Sequence, residues 1–188
     1  MDFYKMSLQI LLKIKNWLFK TPIQNYKINN SQPIEHQEWH SLLQKNVNEK
    51  GDVDYLGFQK EEKKLKKYLN KLSKNPPNDK NWSKAAAITY WINAYNAFTI
   101  QLILDHYPVK SIKEIGGKFP LINSAWDIKF FKINNIPFDL NIIEHEILRK
   151  EYNEARIHFA IVCASISCPR LLNEAFTAER LEEQLELQ

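Results

Sequence analysis

Glycine is scarce in this sequence, which has only four glycines in 188 residues. They are the separated residues Gly51 and Gly57 and the adjacent pair Gly116 and Gly117. Loops that bind phosphates in P-loop and dinucleotide-binding proteins need several closely spaced glycines, because their backbone N–H groups must approach the ligand. The sequence therefore excludes those two classes of nucleotide-binding protein.

Arginine is equally scarce, because the only arginines are Arg149, Arg156, Arg170 and Arg180. The formal net charge of +4 thus rests on lysine, and the lysines are dispersed or interleaved with glutamates. Recognition of phosphates and base edges favours the two-pronged guanidinium group of arginine. We therefore expect no nucleic-acid partner.

Cysteine is limited to Cys163 and Cys168, too few for a disulfide framework. A four-ligand zinc site would have to recruit His145 and His158 as well, and these four residues have neither C-x-x-C nor H-x-x-x-H spacing among them. The sequence predicts no metal site and no cofactor.

Long apolar runs are missing from the N-terminus, where Lys13 and Lys15 interrupt the run that begins at Leu8. This excludes a transmembrane span, and no small-residue cleavage site indicates a signal peptide. What is present is a basic amphipathic segment. It packs on the domain as a helix, forms a poorly ordered leader, or makes weak membrane-surface contact through residues 5–20. The pattern favours a cytoplasmic or membrane-peripheral location and says nothing of oligomeric state.

The chain divides into a basic N-terminal segment with a linker, residues 1–35, and a domain over residues 36–188. Pro, Asn and Ser without periodicity fill the linker part, residues 20–35. Apolar residues at helical spacing predict helices over 36–48 and 57–74, the second with a solvated lysine and glutamate face.

A third helix is predicted from an N-cap at Ser83 to Tyr107, where Pro108 ends it. Because it is apolar on nearly all sides, we expect it to be the central buried helix. Asn93 and Asn96 lie three residues apart on one face of it. A buried amide without partners costs about 1–3 kcal/mol, so these two should hydrogen-bond backbone loops or line a polar cavity.

The second half of the domain predicts a small sheet. A hairpin over residues 129–138 would turn at Asn134–Asn135, and Asp139 would cap a following helix. The unbroken apolar run at 156–163 predicts a buried strand, and a last helix would start at Thr177. The expected fold is a helix-rich, single-domain α+β protein.

With these elements in order, the sequence resembles the DUF547 family, whose function has not been settled. The resemblance implies a domain that usually continues beyond the equivalent of residue 188, so we expect this chain to be truncated. It rests on residues 51–58 ("GDVDYLGF"), 90–115, 126–131 ("WDIKFF"), 143–152 ("IEHEILRKEY") and 155–185.

A thiol nucleophile is one interpretation of the polar residues in the second half. Cys163 would stand at a strand end, with His145 as its base and with Asn96 or Glu144 as the group that orients the imidazole. Asn93 and Cys168 are the alternates. The competing interpretation is that Cys163 fills space in the core and that His145 is a surface residue paired with glutamate.

A looser similarity to papain-like and transglutaminase-like folds offers His158 as an alternative catalytic histidine. On that alignment the nucleophile position carries Asn93 or Asn96 rather than cysteine, which favours a binding module on a hydrolase-like scaffold. Arg149 and Arg156 should pair with Glu144 or Glu146, or else receive an anionic ligand.

Two hypotheses of different kinds therefore stand. The first is a thiol-dependent hydrolase or acyl transferase that uses Cys163, His145, Asn96 and Glu144. The second is a non-catalytic binding or scaffolding domain in which the same residues brace the core. Either one would take a small-molecule or peptide ligand in a cleft between the Asn93/Asn96 helix, the His145 helix and the Cys163 segment.

Overall fold

A computed structural model describes residues 23–116, 124–164 and 169–188 of the chain. The predicted basic helix at the N-terminus and Cys168 lie outside these residues. Helices dominate the described part and are accompanied by a two-stranded antiparallel sheet. The fold is therefore the predicted helix-rich α+β type.

The helices fall into longer core-forming elements and short connecting turns. The first helix is Gln37–Asn46, the lysine-rich helix is Glu62–Lys74 and the central helix is Lys84–Leu104. A π-helix, Ile142–Leu148, continues into the short helix Arg149–Glu151. The remaining helical elements are Ile23–Lys27, Tyr55–Lys60, Ile112–Glu114, Ala125–Asp127, Ile157–Ala160 and the C-terminal helix Leu181–Glu186.

The central helix organises the core, as its apolar composition predicts. Every residue from Ala87 to Leu104 is buried, because neighbouring elements cover the helix on all sides. Its start is fixed by Ser83, whose hydroxyl accepts a hydrogen bond from the Ala86 N–H at 3.2 Å. The helix ends at Leu104, three residues before the predicted end at Tyr107.

The predicted hairpin consists of strands Phe131–Ile133 and Ile136–Phe138. Asn134 and Asn135 form its turn with φ angles of 48° and 65°, a conformation that asparagine tolerates better than most residues. Phe131 stacks on Phe98 of the central helix with ring centroids 3.8 Å apart. The hairpin is thereby packed against the middle of the central helix.

The first helix and the lysine-rich helix cover another side of the core. Trp39 of the first helix stacks on Tyr68 of the lysine-rich helix, with ring centroids 5.9 Å apart. Tyr68 has Leu65, Leu69 and Leu72 as buried neighbours on its helix, which leaves the lysines outside as predicted. The predicted helix over 57–74 is in fact two, because Glu61 interrupts it.

The segment ahead of the first helix packs on the domain. Tyr26 is fully buried and makes an edge-to-face contact with Trp91 of the central helix, at 5.1 Å between ring centroids. Asn78 donates a hydrogen bond to the Ser31 carbonyl at 2.9 Å. From residue 23 onwards, the predicted linker is therefore joined to the core.

The prediction of a strand at 156–163 is wrong. Residues Ile157–Ala160 form a short helix, and an extended segment follows. The buried side chains are Ile157, Ala160 and Ile161, which is the i, i+3, i+4 spacing of a helical face, whereas Phe159 is 50% exposed. Because nearly every residue of this run is apolar, the helical spacing of the buried side chains cannot be seen in the sequence.

The last helix also begins later than predicted. It starts at Leu181, and the residue before it, Arg180, makes no side-chain cap. Thr177 does not cap it; its backbone N–H donates instead to the Gln184 side chain at 2.9 Å. The residues between Thr177 and Leu181 form a turn.

Candidate functional site

Asn93 fastens a distant backbone segment to the central helix. Its Nδ2 donates to the Phe176 carbonyl at 2.9 Å, and its Oδ1 accepts from the Phe176 N–H at 3.0 Å. The side chain is 1% exposed. This amide therefore satisfies both backbone groups of a buried residue that lies 83 positions away.

Asn96 does the same for the segment before Cys163. Its Nδ2 donates to the Ala160 carbonyl at 3.0 Å, and its Oδ1 accepts from the Val162 N–H at 2.9 Å. The expectation that Asn93 and Asn96 hydrogen-bond backbone loops is thus confirmed. A buried strand here would have taken its backbone hydrogen bonds from neighbouring strands. The side-chain amide of Asn96 supplies two of these hydrogen bonds instead.

Cys163 follows this braced segment and is half-buried. It is disulfide-bonded, and Cys168, the other cysteine of the sequence, lies outside the described residues. A nucleophilic thiol must be present as the free thiolate. In the disulfide-bonded form Cys163 offers no such group.

The π-helix carries Glu144, and Asp139 starts it by accepting a hydrogen bond from the Ile142 N–H at 2.8 Å. Glu144 pairs with Arg149, with Oε1 and Nη2 2.9 Å apart, as one of the predicted pairings requires. Glu144 also accepts a hydrogen bond from the Tyr95 hydroxyl at 3.4 Å. Burial, and then the charge of Glu144, raise the pKa of Tyr95.

His145 projects from the same π-helix as an exposed residue, and its side chain forms no hydrogen bond with any other described residue. Its neighbour Glu146 pairs with Lys150 at 2.5 Å rather than with the histidine. His158 is exposed too, and its Nδ1 lies 3.2 Å from Nη2 of Arg149. Because a guanidinium group only donates, Nδ1 of His158 accepts this hydrogen bond.

The candidate catalytic residues thus divide into two groups at the central helix. Glu144 is hydrogen-bonded to Tyr95 and is linked through Arg149 to His158. The segment leading to Cys163 is hydrogen-bonded to Asn96. Neighbouring positions of an α-helix point about 100° apart. Asn96 and Glu144, the two candidates for orienting the imidazole, are therefore committed to other partners, and no described hydrogen bond links either one to His145.

Arg156 is paired, though not with the predicted glutamates. Its guanidinium group contacts Glu154 at 2.6 Å, Glu182 at 2.8 Å and Glu186 at 2.5 Å. The last two carboxylates belong to the C-terminal helix. Arg156 therefore links the C-terminal helix to the short helix Ile157–Ala160, which begins at the next residue.

A cleft of about 380 Å³ lies beside Asn96. The loop that carries the "GDVDY" sequence forms one wall, and residues on either side of 165–168 form the opposite wall. The described residues that line the cleft are Lys50, Gly51, Asp52, Val53, Tyr55, Asn96, Thr99, Ile100, Val162, Ala164, Pro169, Arg170 and Leu171. This volume falls within the range of small-molecule sites.

The polar groups on the floor of this cleft are already engaged within the protein. Thr99 donates its hydroxyl to the Tyr95 carbonyl at 2.8 Å, and Asn96 holds Ala160 and Val162. Burial raises the pKa of Tyr55 to about 12, so its hydroxyl is uncharged at neutral pH. The floor is consequently a neutral, largely apolar surface.

The Gly51 loop shapes the cleft, and sequence reasoning missed it as part of a site. Gly51 has a φ of 86°, and a Cβ on it would lie 2.7 Å from Cβ of Arg170. A side chain at this position would therefore clash with the opposite wall. Asp54 then caps the next helix by accepting from the Gly57 N–H at 2.9 Å. The signal in the sequence was the "GDVDYLGF" motif of residues 51–58, which carries part of the family resemblance.

Within residues 23–116, 124–164 and 169–188, no group of three or more His, Cys, Asp or Glu side chains is placed to hold a metal ion. None of the helices in those ranges combines the length and the apolar character needed to cross a membrane.

A protein-family model described as "Protein of unknown function, DUF547" matches residues 80–188. The chain belongs to the DUF547 family. The matched DUF547 region contains the central helix, both braced segments and the Arg170 wall of the cleft, whereas the Gly51 loop precedes it. Searches of curated proteins and of solved structures found no match.

Proposed function

We propose that this DUF547 domain is a non-catalytic binding domain that takes a small ligand in the cleft between the Gly51 loop and Arg170. The observation that carries the proposal is that Asn93, Asn96 and Cys163 are all engaged in holding the fold together. The side-chain amides of Asn93 and Asn96 each donate one hydrogen bond to a backbone carbonyl and accept one from a backbone N–H. Cys163 is disulfide-bonded.

The cleft supports the binding half of the proposal. Its walls come from three separate parts of the chain, namely the Gly51 loop, the central helix and residues 169–171. Asn96 fixes the position of Val162, and the tight fit of Gly51 against Arg170 fixes the distance between the walls. A cleft held in this way is preorganised, which lowers the entropy cost of binding.

The binding test is a fragment screen by amide NMR on the intact chain. Neutral and charged fragments should shift the amide signals of residues 50–55 and 169–171. Val53→Trp should fill the cleft and abolish the shifts, whereas Val109→Trp, at a partly buried valine outside the cleft, should leave them intact. A screen in which no fragment shifts these signals would contradict the proposal.

The catalytic alternative is tested on the same protein. Hydrolysis of p-nitrophenyl butyrate and of a thioester should not exceed the buffer rate, either before or after reduction with dithiothreitol. The thiol-hydrolase hypothesis predicts turnover in the reduced chain that is lost in both Cys163→Ala and His145→Ala. Turnover with that dependence would overturn the non-catalytic proposal.

A further inference from the structure

The lysine-rich helix Glu62–Lys74 carries the excess positive charge of the chain. Its 13 residues include six lysines and one glutamate, which gives this helix a formal net charge of +5. The whole chain has a formal net charge of +4, so all the other residues together carry a net charge of −1. Although lysines occur along the whole sequence, the unbalanced charge is therefore concentrated on one helix.

Three of these lysines form a ridge along the outer face of the helix. Lys63, Lys67 and Lys74 lie at positions i, i+4 and i+11, and Asn70 lies between them at i+7, so the four side chains share one face. All four are exposed. The buried side chains lie on the opposite face and are Leu65, Tyr68, Leu69 and Leu72. We call Lys63, Lys67, Asn70 and Lys74 the lysine ridge, which is about 16 Å long at the rise of an α-helix.

The lysines of the ridge differ from those beside it in their ionic contacts. Lys64 pairs with Glu61 at 2.6 Å. Lys66 pairs with Glu62 at 2.7 Å. Both glutamates lie at the start of the helix and outside the ridge. The three ridge lysines form no ion pair with any described residue, so their charges face solvent.

A row of unpaired lysines fits an anionic partner, and the composition of the ridge favours a lipid surface. Protein interfaces are depleted in lysine and enriched in aromatic residues and arginine, and the ridge contains neither of these. Binding of nucleic acid favours arginine and aromatic side chains on which bases stack. An anionic bilayer attracts lysine by charge alone, typically through clusters of about four to eight basic residues.

We infer that the lysine ridge binds the surface of a bilayer that contains anionic lipid. The helix would lie along the bilayer, with its ammonium groups at the level of the lipid phosphates. All the apolar side chains of this helix are buried, so the contact would be electrostatic and would weaken as salt is added. The inference goes beyond the proposed function, because no ridge residue lines the cleft.

The test measures cosedimentation of the intact chain with vesicles of phosphatidylcholine that contain about 30% phosphatidylserine. At about 0.05 M salt the chain should bind these vesicles and should not bind vesicles of phosphatidylcholine alone, and about 0.5 M salt should release it. The triple variant Lys63→Gln, Lys67→Gln, Lys74→Gln should bind about 100-fold more weakly, because each lysine at the surface contributes roughly fivefold.

A matched control removes the same charge elsewhere. The control combines Lys84→Gln, Lys110→Gln and Lys129→Gln, at three exposed lysines outside this helix. It should lower the affinity less than about threefold, because the attraction falls off within a Debye length of the bilayer.

Asn70 tests the ridge in both directions. Asn70→Lys should tighten vesicle binding about fivefold, and Asn70→Glu should weaken it about fivefold. Lysine and glutamate both favour helices, so opposite effects on binding would come from charge rather than from folding. This pair also decides the inference if the triple variant fails to fold.

The outcomes separate the ridge from other binding surfaces. Equal losses in the ridge variant and the control would show that only net charge matters and would overturn the assignment. Unchanged binding of the ridge variant would assign the contact to another part of the chain, such as the basic N-terminal segment, and would overturn it as well. Tighter binding to duplex DNA than to the vesicles, or binding to neither kind of vesicle, would also overturn it. Each of these results leaves the cleft and the proposed function unaffected.

Discussion

Asn93 holds Phe176 through a closed pair of hydrogen bonds, in which one amide group satisfies the N–H and the C=O of the same residue. A helix side chain thereby acts as the partner that a neighbouring strand would supply in a sheet. Asn96 repeats the arrangement three residues later on Ala160 and Val162. The two asparagines explain how long irregular segments stay ordered against the central helix.

The first prediction concerns Asn93. Asn93→Leu keeps the approximate volume but leaves the buried N–H and C=O of Phe176 without partners. We expect the free energy of unfolding to fall by about 2–4 kcal/mol, measured by urea denaturation. Asn70→Leu, at an exposed position on the lysine-rich helix, should change it by less than about 0.5 kcal/mol. Equal stability of the two variants would show that the Asn93 amide is dispensable.

The second prediction concerns which amide each asparagine protects. In Asn96→Leu, hydrogen exchange should accelerate at the Val162 N–H and stay slow at the Phe176 N–H. In Asn93→Leu the pattern should reverse, because each N–H has its own asparagine as acceptor. Exchange that accelerates equally at both amides in both variants would point to global unfolding and would contradict separate bracing.

The third prediction concerns Gly51. Its φ of 86° strains any other residue, and an added Cβ would press on Arg170. Gly51→Ala should therefore lower the free energy of unfolding by about 1–3 kcal/mol. Lys50→Ala, one residue earlier, has neither problem and should cost less than about 0.5 kcal/mol. A fully stable Gly51→Ala variant would mean that the loop is free to move away from Arg170.

The fourth prediction concerns pH and His36, whose Nδ1 lies 2.6 Å from the Tyr68 hydroxyl in the core. Burial, followed by the charge of Lys71, lowers the pKa of His36 to about 4, although Glu38 opposes the shift. Between pH 6.5 and 4 the unfolded chain therefore binds more protons than the folded one. The stability linked to His36 is fully present above pH 6.5 and is lost as the pH falls towards 4.

Urea denaturation at pH 7 and pH 5 measures this contribution. The loss of stability between the two values should be about 2 kcal/mol smaller in His36→Gln than in the unmodified chain. Asn70→Leu, at an exposed position on the lysine-rich helix, should retain the full loss. If His36→Gln loses as much stability as the unmodified chain, the histidine does not titrate as its burial implies.

Local signals in the sequence predicted much of the fold. Ser83 marked the start of the central helix, the Asn134–Asn135 pair marked the hairpin turn, and Asp139 marked the start of the next helix. Each of these signals acts over three or four residues, through a cap or a turn conformation that few residue types provide. Such signals can be recognised without knowledge of the tertiary structure.

The predictions were wrong where tertiary contacts determine the local secondary structure. The run at 156–163 is apolar enough for a strand, but it forms a helical turn and then takes its hydrogen bonds from Asn96, more than 60 residues away. The π-helix over Ile142–Leu148 has no local sequence signal that distinguishes it from an α-helix. The sequence showed that Asn93 and Asn96 need partners, but it could not show which backbone would supply them.

The walls of the cleft could not be predicted either, because they come from segments that are far apart in the sequence. Its described walls combine a loop near residue 51, the central helix near residue 99 and a segment near residue 170. The predicted cleft lay between the Asn93/Asn96 helix, the His145 helix and the Cys163 segment. The observed one shares Asn96 and residues beside Cys163 but includes neither His145 nor Glu144 among its described lining.

Alkylation of Cys163 tests the central claim, that this DUF547 domain has no activated nucleophile, most directly. The intact chain should be treated with iodoacetamide at pH 7, with and without prior reduction, and the modification at Cys163 followed by mass spectrometry. We predict no modification without reduction and, after reduction, a rate no faster than that of free cysteine. Modification of the reduced chain faster than free cysteine, and slowed by His145→Ala, would contradict the account.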